Sequence, residues 1–256
     1  MRKGFMGICL TFMTLVGFAQ TKQDSVHSPL MINGNIGTTN NGISIVPTFS
    51  LGQPAFNTSF SISKGGRFNI DPELRLTFDG KKGSAMVWFR YKLINSGKFR
   101  FNIGMHPAYN FGLRSVTENG KTWKITQARR FIATELSPYF IINKNLTVGM
   151  YYLKGTGLQD DGPVNMHYVT FNTNINNIPL FNNFKLGLSP QVYYLKVDKQ
   201  DGYYLTGNIV LTKTNSPFGL MSTLNKEINT NIAGSKNFDW NITLMYRFSA
   251  NYNRSK

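Results

Sequence analysis

Residues 240–248 read WNITLMYRF, in which Trp240, Ile242, Leu244, Tyr246 and Phe248 alternate with Asn241, Thr243, Met245 and Arg247. Successive side chains of a β-strand point to opposite faces, so the stretch is one apolar row backed by a mostly polar one. The fold turns on which row meets water.

The same period of two recurs upstream about every fifteen to twenty residues, bounded by Gly, Asn, Pro or Lys, and no sustained helical repeat interrupts it. The pattern predicts twelve strands, over residues 43–51, 55–63, 67–78, 83–94, 98–113, 126–142, 146–158, 164–178, 183–197, 202–212, 217–227 and 237–248. In the third, Phe68, Ile70, Leu74, Leu76 and Phe78 oppose Asn69, Asp71, Glu73, Arg75 and Thr77. In the fourth, Val87, Phe89, Tyr91 and Leu93 oppose Trp88, Arg90 and Lys92; in the fifth, Phe99, Phe101, Ile103 and Met105 oppose Arg100, Asn102 and His106. Links after the second, fourth and sixth strands are short (SKGG, NSG, NKN), and those after the fifth, seventh and eleventh are long. Short links alternating with long ones, at an even strand count, are the layout of a bacterial outer-membrane barrel with both chain ends in the periplasm.

A soluble β-sandwich or lipocalin-like barrel, apolar row inside, is the alternative. Soluble surfaces are roughly a quarter to a third Asp, Glu, Lys and Arg. Only 16% of this chain is charged, and its polar rows are largely Asn, Thr, Ser and Gly. A mean hydropathy of −0.23 counts against a helical membrane protein but not against a barrel with a watery lumen. Most of the strands reach the roughly 9 to 11 residues that a tilted strand needs to cross a bilayer. Trp240, Tyr246 and Phe248, with Tyr109, Tyr152 and Tyr203 near other strand ends, fit two interfacial girdles. The expected fold class is therefore all-β, a single antiparallel transmembrane β-barrel of about twelve strands.

The first twenty residues carry Arg2 and Lys3 ahead of an apolar run from Phe5 to Phe18 and end in Ala19 and Gln20. This is the layout of a secretory signal peptide. Residues 21–42 are expected to be a periplasmic leader or a short first strand, 43–248 the barrel, and 249–256 a C-terminal extension. Cys9, the one cysteine, lies inside the signal peptide, so the mature chain is expected to have none and to form no disulfide or thiolate metal site. The chain has 28 Lys and Arg against 12 Asp and Glu, and loss of Arg2 and Lys3 leaves a net charge of +14. Such a balance suits anionic partners: lipopolysaccharide phosphates at the outer membrane and small anionic solutes. Export and the lack of a basic helix or zinc pattern argue against nucleic acid.

With the apolar row in lipid, Glu73, Arg75, Arg90, Lys92, Arg100, His106, Glu135 and Arg247 face the lumen by parity. The third to fifth strands are expected to set Glu73, Arg75, Arg90, Lys92 and Arg100 into a basic wall carrying a carboxylate, with Glu135 as a second one. Such charges either brace the barrel or select solutes, and excess Arg and Lys would favour anions. His106 and His167 have no motif partner, and no G-x-S-x-G or H-E-x-x-H is present. Neither a catalytic residue nor a metal or cofactor site is expected.

WNITLMYRF is similar to the terminal strand of outer-membrane proteins, an aromatic-rich segment ending in Phe that the barrel-assembly machinery recognises; here Trp240, Tyr246 and Phe248 carry the likeness. Unlike families that stop at the Phe, this chain continues with SANYNRSK. GFAQ at 17–20, NNGISIVPTFSLGQPAF at 40–56, MVWFRYKL at 86–93, NIGMHPAYNFG at 102–112 and SPQVYYLKVDKQDGYYLTG at 189–207 resemble a family of outer-membrane barrels from Bacteroidetes-type bacteria. The resemblance spans nearly all of the mature chain and implies fold and location, not an activity. The expected role is a narrow, anion-favouring channel or small polar solute-binding barrel. A closed scaffold acting through its loops is the first alternative, and a lipid-modifying enzyme the second.

Overall fold

The computed structural model describes residues 29–159 and 161–252. They form a closed barrel of twelve antiparallel strands: β1 (Leu30–Thr39), β2 (Ala55–Lys64), β3 (Phe68–Thr77), β4 (Gly83–Ser96), β5 (Phe99–Glu118), β6 (Lys121–Asn143), β7 (Leu146–Gly157), β8 (Asn165–Pro179), β9 (Phe184–Val197), β10 (Gln200–Lys213), β11 (Phe218–Thr230) and β12 (Phe238–Tyr252). Each strand pairs with its neighbours in sequence, and β12 returns to pair with β1.

Leu244 is 52% exposed and Ile242 50%, whereas Thr243 between them is 3% exposed and Asn241 5%. The apolar row faces out on every side, as Ile36, Phe56, Leu74, Met105, Leu136, Phe171 (62%) and Leu205 show. Apolar area this contiguous on an outer surface is stable only against another apolar medium. Rings gather at both ends of the wall. Phe60 and Phe248 (centroids 5.6 Å apart), Phe99 and Phe140 (4.9 Å), and Phe218 and Tyr246 (5.5 Å) lie towards the short turns; Phe56 and Phe78 (4.4 Å) and Tyr194 and Tyr203 (5.1 Å) lie towards the long loops. Gly34 lets the first pair close over the β1–β12 seam, since a Cβ there would stand 2.7 Å from Cζ of Phe248.

Leu30 lies opposite both Tyr252 and Lys64, so the described chain ends share one end of the barrel. That end carries the short links 65–67, 97–98, 144–145, 180–183 and 214–217; the other carries 40–54, 78–82, 158–164 and 231–237, the turn at 198–199 and the projecting β5–β6 hairpin. The long stretch read as a loop after the fifth strand is paired strand up to Glu118 and Lys121.

Three further boundaries differ from the sequence reading. Residues 43–51 are not a strand. They belong to the loop joining β1 to β2, which turns at Pro47–Phe49 and carries Leu51 into a buried position. Their alternation arises because Phe49 and Leu51 seat against the inner wall, Phe49 meeting Phe131 edge to face at 5.0 Å. The first strand is instead Leu30–Thr39, within the Asn- and Gly-rich segment read as a leader or short strand. Residues 249–252, read as an extension, continue β12 in register with Leu30–Asn33. The signal-peptide reading of residues 1–20 and the end of the tail, 253–256, lie outside the described residues.

Candidate functional site

Inward-facing residues of β3 to β7 build a charged cluster. Arg90 on β4 donates from Nη1 to Oδ2 of Asp71 on β3 (2.6 Å) and from Nε to Oε1 of Glu135 on β6 (2.7 Å). Register sets the second contact: Arg90 pairs with Gly104 on β5, and Gly104 with Glu135. A Cβ on Gly104 would lie 2.7 Å from Oε1 of Glu135 and 3.1 Å from Cγ of Arg90, so this glycine opens the gap across which the ion pair closes. Oε2 of Glu135 accepts the Tyr151 hydroxyl of β7 at 2.6 Å. The guanidinium lies 4.2 Å over the Trp88 ring. His106 packs edge-on against the same indole, with centroids 3.8 Å apart.

The cluster continues as rings: Tyr151 to Tyr168 of β8 (6.0 Å), Tyr168 to Tyr193 of β9 (5.1 Å) and Tyr193 to Tyr204 of β10 (4.7 Å, nearly parallel). The Tyr204 hydroxyl meets Oγ of Thr230 (2.7 Å) and of Ser235 (2.8 Å). One belt of contacts thus runs round the inner wall from β3 to the loop beyond β11. Above it, Met166, Leu195, Val197 and Ile232 form a small apolar core with Tyr168, Tyr193 and Tyr204, against which Val46 and Phe49 of the first loop pack.

The loop is held by charge as well. Arg75 Nη2 donates to the Gly42 carbonyl (3.3 Å) and Lys82 Nζ to the Leu51 carbonyl (3.1 Å). One cavity of about 290 Å³ lies between Thr48–Leu51 and the upper ends of β4 to β6, beside Lys82, Arg114 and Arg129. Another of about 160 Å³ lies between Ile43–Ile45 and β8 to β11.

The sequence-derived candidates therefore separate into three groups. Arg90, Glu135 and His106 meet in the cluster, and Glu73 and Arg75 stand on the same strand as Asp71. Arg100 does not join them: its Nη1 bonds the carbonyls of Gly97 (2.6 Å) and Phe99 (3.1 Å) at a short turn. Arg247 bonds the Ser216 carbonyl (3.1 Å) at the same end. Lys92 faces the lumen without an acidic partner among the described residues. The expected basic wall is thus a charge-compensated one, because Asp71 and Glu135 take both edges of the Arg90 guanidinium. Asp71 and Trp88 were available from parity alone; Tyr151 and Gly104 depend on register across four strands, which no single strand encodes. Neither ring nitrogen of His106 has a hydrogen-bond partner among the described residues, and Nδ1 is buried. His167 faces outward, its Nδ1 2.9 Å from the Tyr152 hydroxyl.

No protein-family model matches the chain, and no curated protein matches it. Solved structures do resemble it. The KdgM porin, alone and in complex with disordered oligogalacturonate, superposes with a TM-score of 0.50 at 10% identity, covering 85% of this chain and 99% of that one. The beta domain of the Bordetella autotransporter BrkA gives 0.47 at 10% identity, covering 87% and 100%. At such identity the KdgM likeness shows the fold, an outer-membrane type of β-barrel, and nothing of a solute.

Proposed function

We propose that this chain resides in the bacterial outer membrane as a narrow channel or binding barrel for small polar solutes, its bore set by its own first loop. One observation carries the reading: an apolar outer wall encloses a polar interior, and residues 40–54 fold into that interior instead of outward. The likeness to a porin supports it at the level of fold. Outer-membrane lipids and lipopolysaccharide surround the wall, and the aromatic-rich β12 serves the barrel-assembly machinery. No covalent chemistry is assigned, since neither described histidine faces a serine hydroxyl or a carboxylate.

Anion preference rests on inward cations that no carboxylate pairs among the described residues, of which Lys92 on β4 and Arg247 on β12 are the two to be tested. Arg90 contributes to structure instead. Conductance of the refolded protein in planar bilayers tests this. Small steps are expected from the wild type, larger steps when residues 43–51 are replaced by a Gly-Ser linker, and a reversal potential shifted towards no selectivity in a Lys92→Gln, Arg247→Gln variant. Absence of steps above leak in both the wild type and the loop variant, across several salts, removes the channel. A closed scaffold would then stand, a reading favoured by the apolar seating of Val46, Phe49 and Ile232 that fills the upper lumen.

A further inference from the structure

We propose that the cavity beneath Ile43–Ile45 binds an uncharged polyhydroxylated solute, one sugar ring in size. The proposal deepens the solute-binding reading and rests on it, by naming a solute class for the side of the lumen that the charged cluster leaves free.

The cavity, about 160 Å³, is walled by the first loop and by β8 to β11. None of its lining residues is charged. At ~30 Å³ per molecule it would hold about five waters, which a single sugar ring can replace with its own hydroxyls. Three side-chain amides line it, and each already accepts a hydrogen bond through its oxygen. The Tyr193 hydroxyl donates to Oδ1 of Asn225 (3.0 Å), the Thr223 hydroxyl to Oδ1 of Asn208 (2.8 Å) and the Tyr168 hydroxyl to Oε1 of Gln191 (3.4 Å). The amide nitrogens of Asn225, Asn208 and Gln191 have no partner among the described residues. They are N–H donors held in fixed orientation by the hydroxyls behind them.

The chemistry of a matching ligand follows. It must bring several acceptor oxygens, because an apolar guest would strand the amide donors without partners. It must be neutral, because a carboxylate or phosphate entering this pocket would lose hydration without meeting a cation. Neither Arg75, which donates to the Gly42 carbonyl beside Ile43, nor Arg90, held by Asp71 and Glu135, is among the residues that line it. The ligand needs an apolar face as well, since Ile43 and Ile45 also line the cavity. A pyranose offers hydroxyls round its rim and C–H bonds on its faces.

The test is calorimetric titration of the refolded full-length barrel in detergent micelles with methyl glucoside, glucuronate and inorganic phosphate. Methyl glucoside is expected to bind, and the two anions not to compete with it. Asn208→Leu removes one amide donor at similar size and is expected to weaken binding roughly tenfold, the scale of one unmet buried hydrogen bond. Ile45→Trp fills the cavity without removing a polar atom and is expected to abolish binding, while heat-modifiable gel migration reports that both variants keep the barrel. No binding of methyl glucoside to the wild type, glucuronate or phosphate binding as tightly, or undiminished binding in Ile45→Trp would each overturn the proposal. A barrel that conducts but binds no glucoside fails here and leaves the channel intact. One that binds glucoside without conducting loses the channel and keeps this site.

Discussion

The Arg90–Glu135 pair permits a quantitative test of whether the lumen charges brace the wall. The side chain of Glu135 is 2% exposed, that of Asp71 10% and that of Arg90 29%. Hydrogen bonds to ionised groups contribute about 1.5–3 kcal/mol each, and removing one member of a buried pair costs about 3–5 kcal/mol because the survivor is left charged and dry. Arg90→Met strands two carboxylates at once, and the partial exposure of the guanidinium places the expected loss near the lower end, about 3 kcal/mol. Glu135→Gln is milder: the amide oxygen still accepts the Tyr151 hydroxyl and Arg90 keeps Asp71, so about 1–2 kcal/mol is expected. Once Glu135 is neutral, losing Arg90 strands only Asp71, so the double variant should be more stable than the sum of singles by about 1–2 kcal/mol. Equilibrium unfolding in guanidinium from lipid vesicles, followed by tryptophan fluorescence and by gel migration, measures all four corners. The second probe matters because Trp88 itself touches Arg90. Singles that add to within about 0.5 kcal/mol, or an Arg90→Met loss below about 1 kcal/mol, would refute the bracing argument.

Gly104→Val tests the same pair from the backbone side. A branched side chain in the 2.7 Å gap beside Oε1 of Glu135 is expected to push the pair apart and to cost about 1–3 kcal/mol in the same unfolding assay. At the long-loop end, Asp161 accepts from Gln127 and meets Arg114 at 3.0 Å and Arg129 at 3.5 Å. The Gln127 hydrogen bond, seconded by the charges of Arg129 and Arg114, holds its carboxyl below the ordinary range. A depressed folded value contributes stability that is fully present above the unfolded pKa, about 3.9 for Asp. That stability is lost as pH falls through the folded value. Limited proteolysis of the 158–164 loop is therefore expected to speed up below the ordinary carboxylate range, and Asp161→Asn to cleave at the fast rate already at neutral pH.

How much of this was legible depends on what each feature is made of. Facing is local, so the alternation in β3, β4, β5 and β12 gave the correct inward set, Asp71 and Trp88 included. Strand existence failed where apolar periodicity had another cause. Ile43, Ile45, Phe49 and Leu51 alternate as a strand would, yet Pro47 sits in their 3-10 turn, and Val46 and Phe49 are anchored by Phe131 and the apolar inner patch, contacts absent from the segment's own sequence. The true first strand, LMINGNIGTT, has small residues where rings from its neighbours cover it, as at Gly34, so its apolar signal resides in Phe60 and Phe248. The two errors offset each other, since one strand was replaced by another, and the even count with its short and long ends survived. The charge pattern was legible as composition but not as pairing. Parity put Arg90, Arg75 and Lys92 on one face, whereas the neutralisation of Arg90 by Glu135 needs the register of β4, β5 and β6 together.

That pairing changes what the net positive charge can do. Buried arginines add to an anion-selective field only while their charge is uncompensated. Arg90 is paired twice, and Arg100 is turned to carbonyls at the rim. The paired charges of Asp71, Arg90 and Glu135 therefore hold the wall, in line with the tyrosine stack that carries the same belt on through β7 to β10. A wall braced in this way can hold a loop inside without collapsing round it. Contact with a neutral solute then falls to the amides of β9 to β11, whose N–H donors lack partners among the described residues.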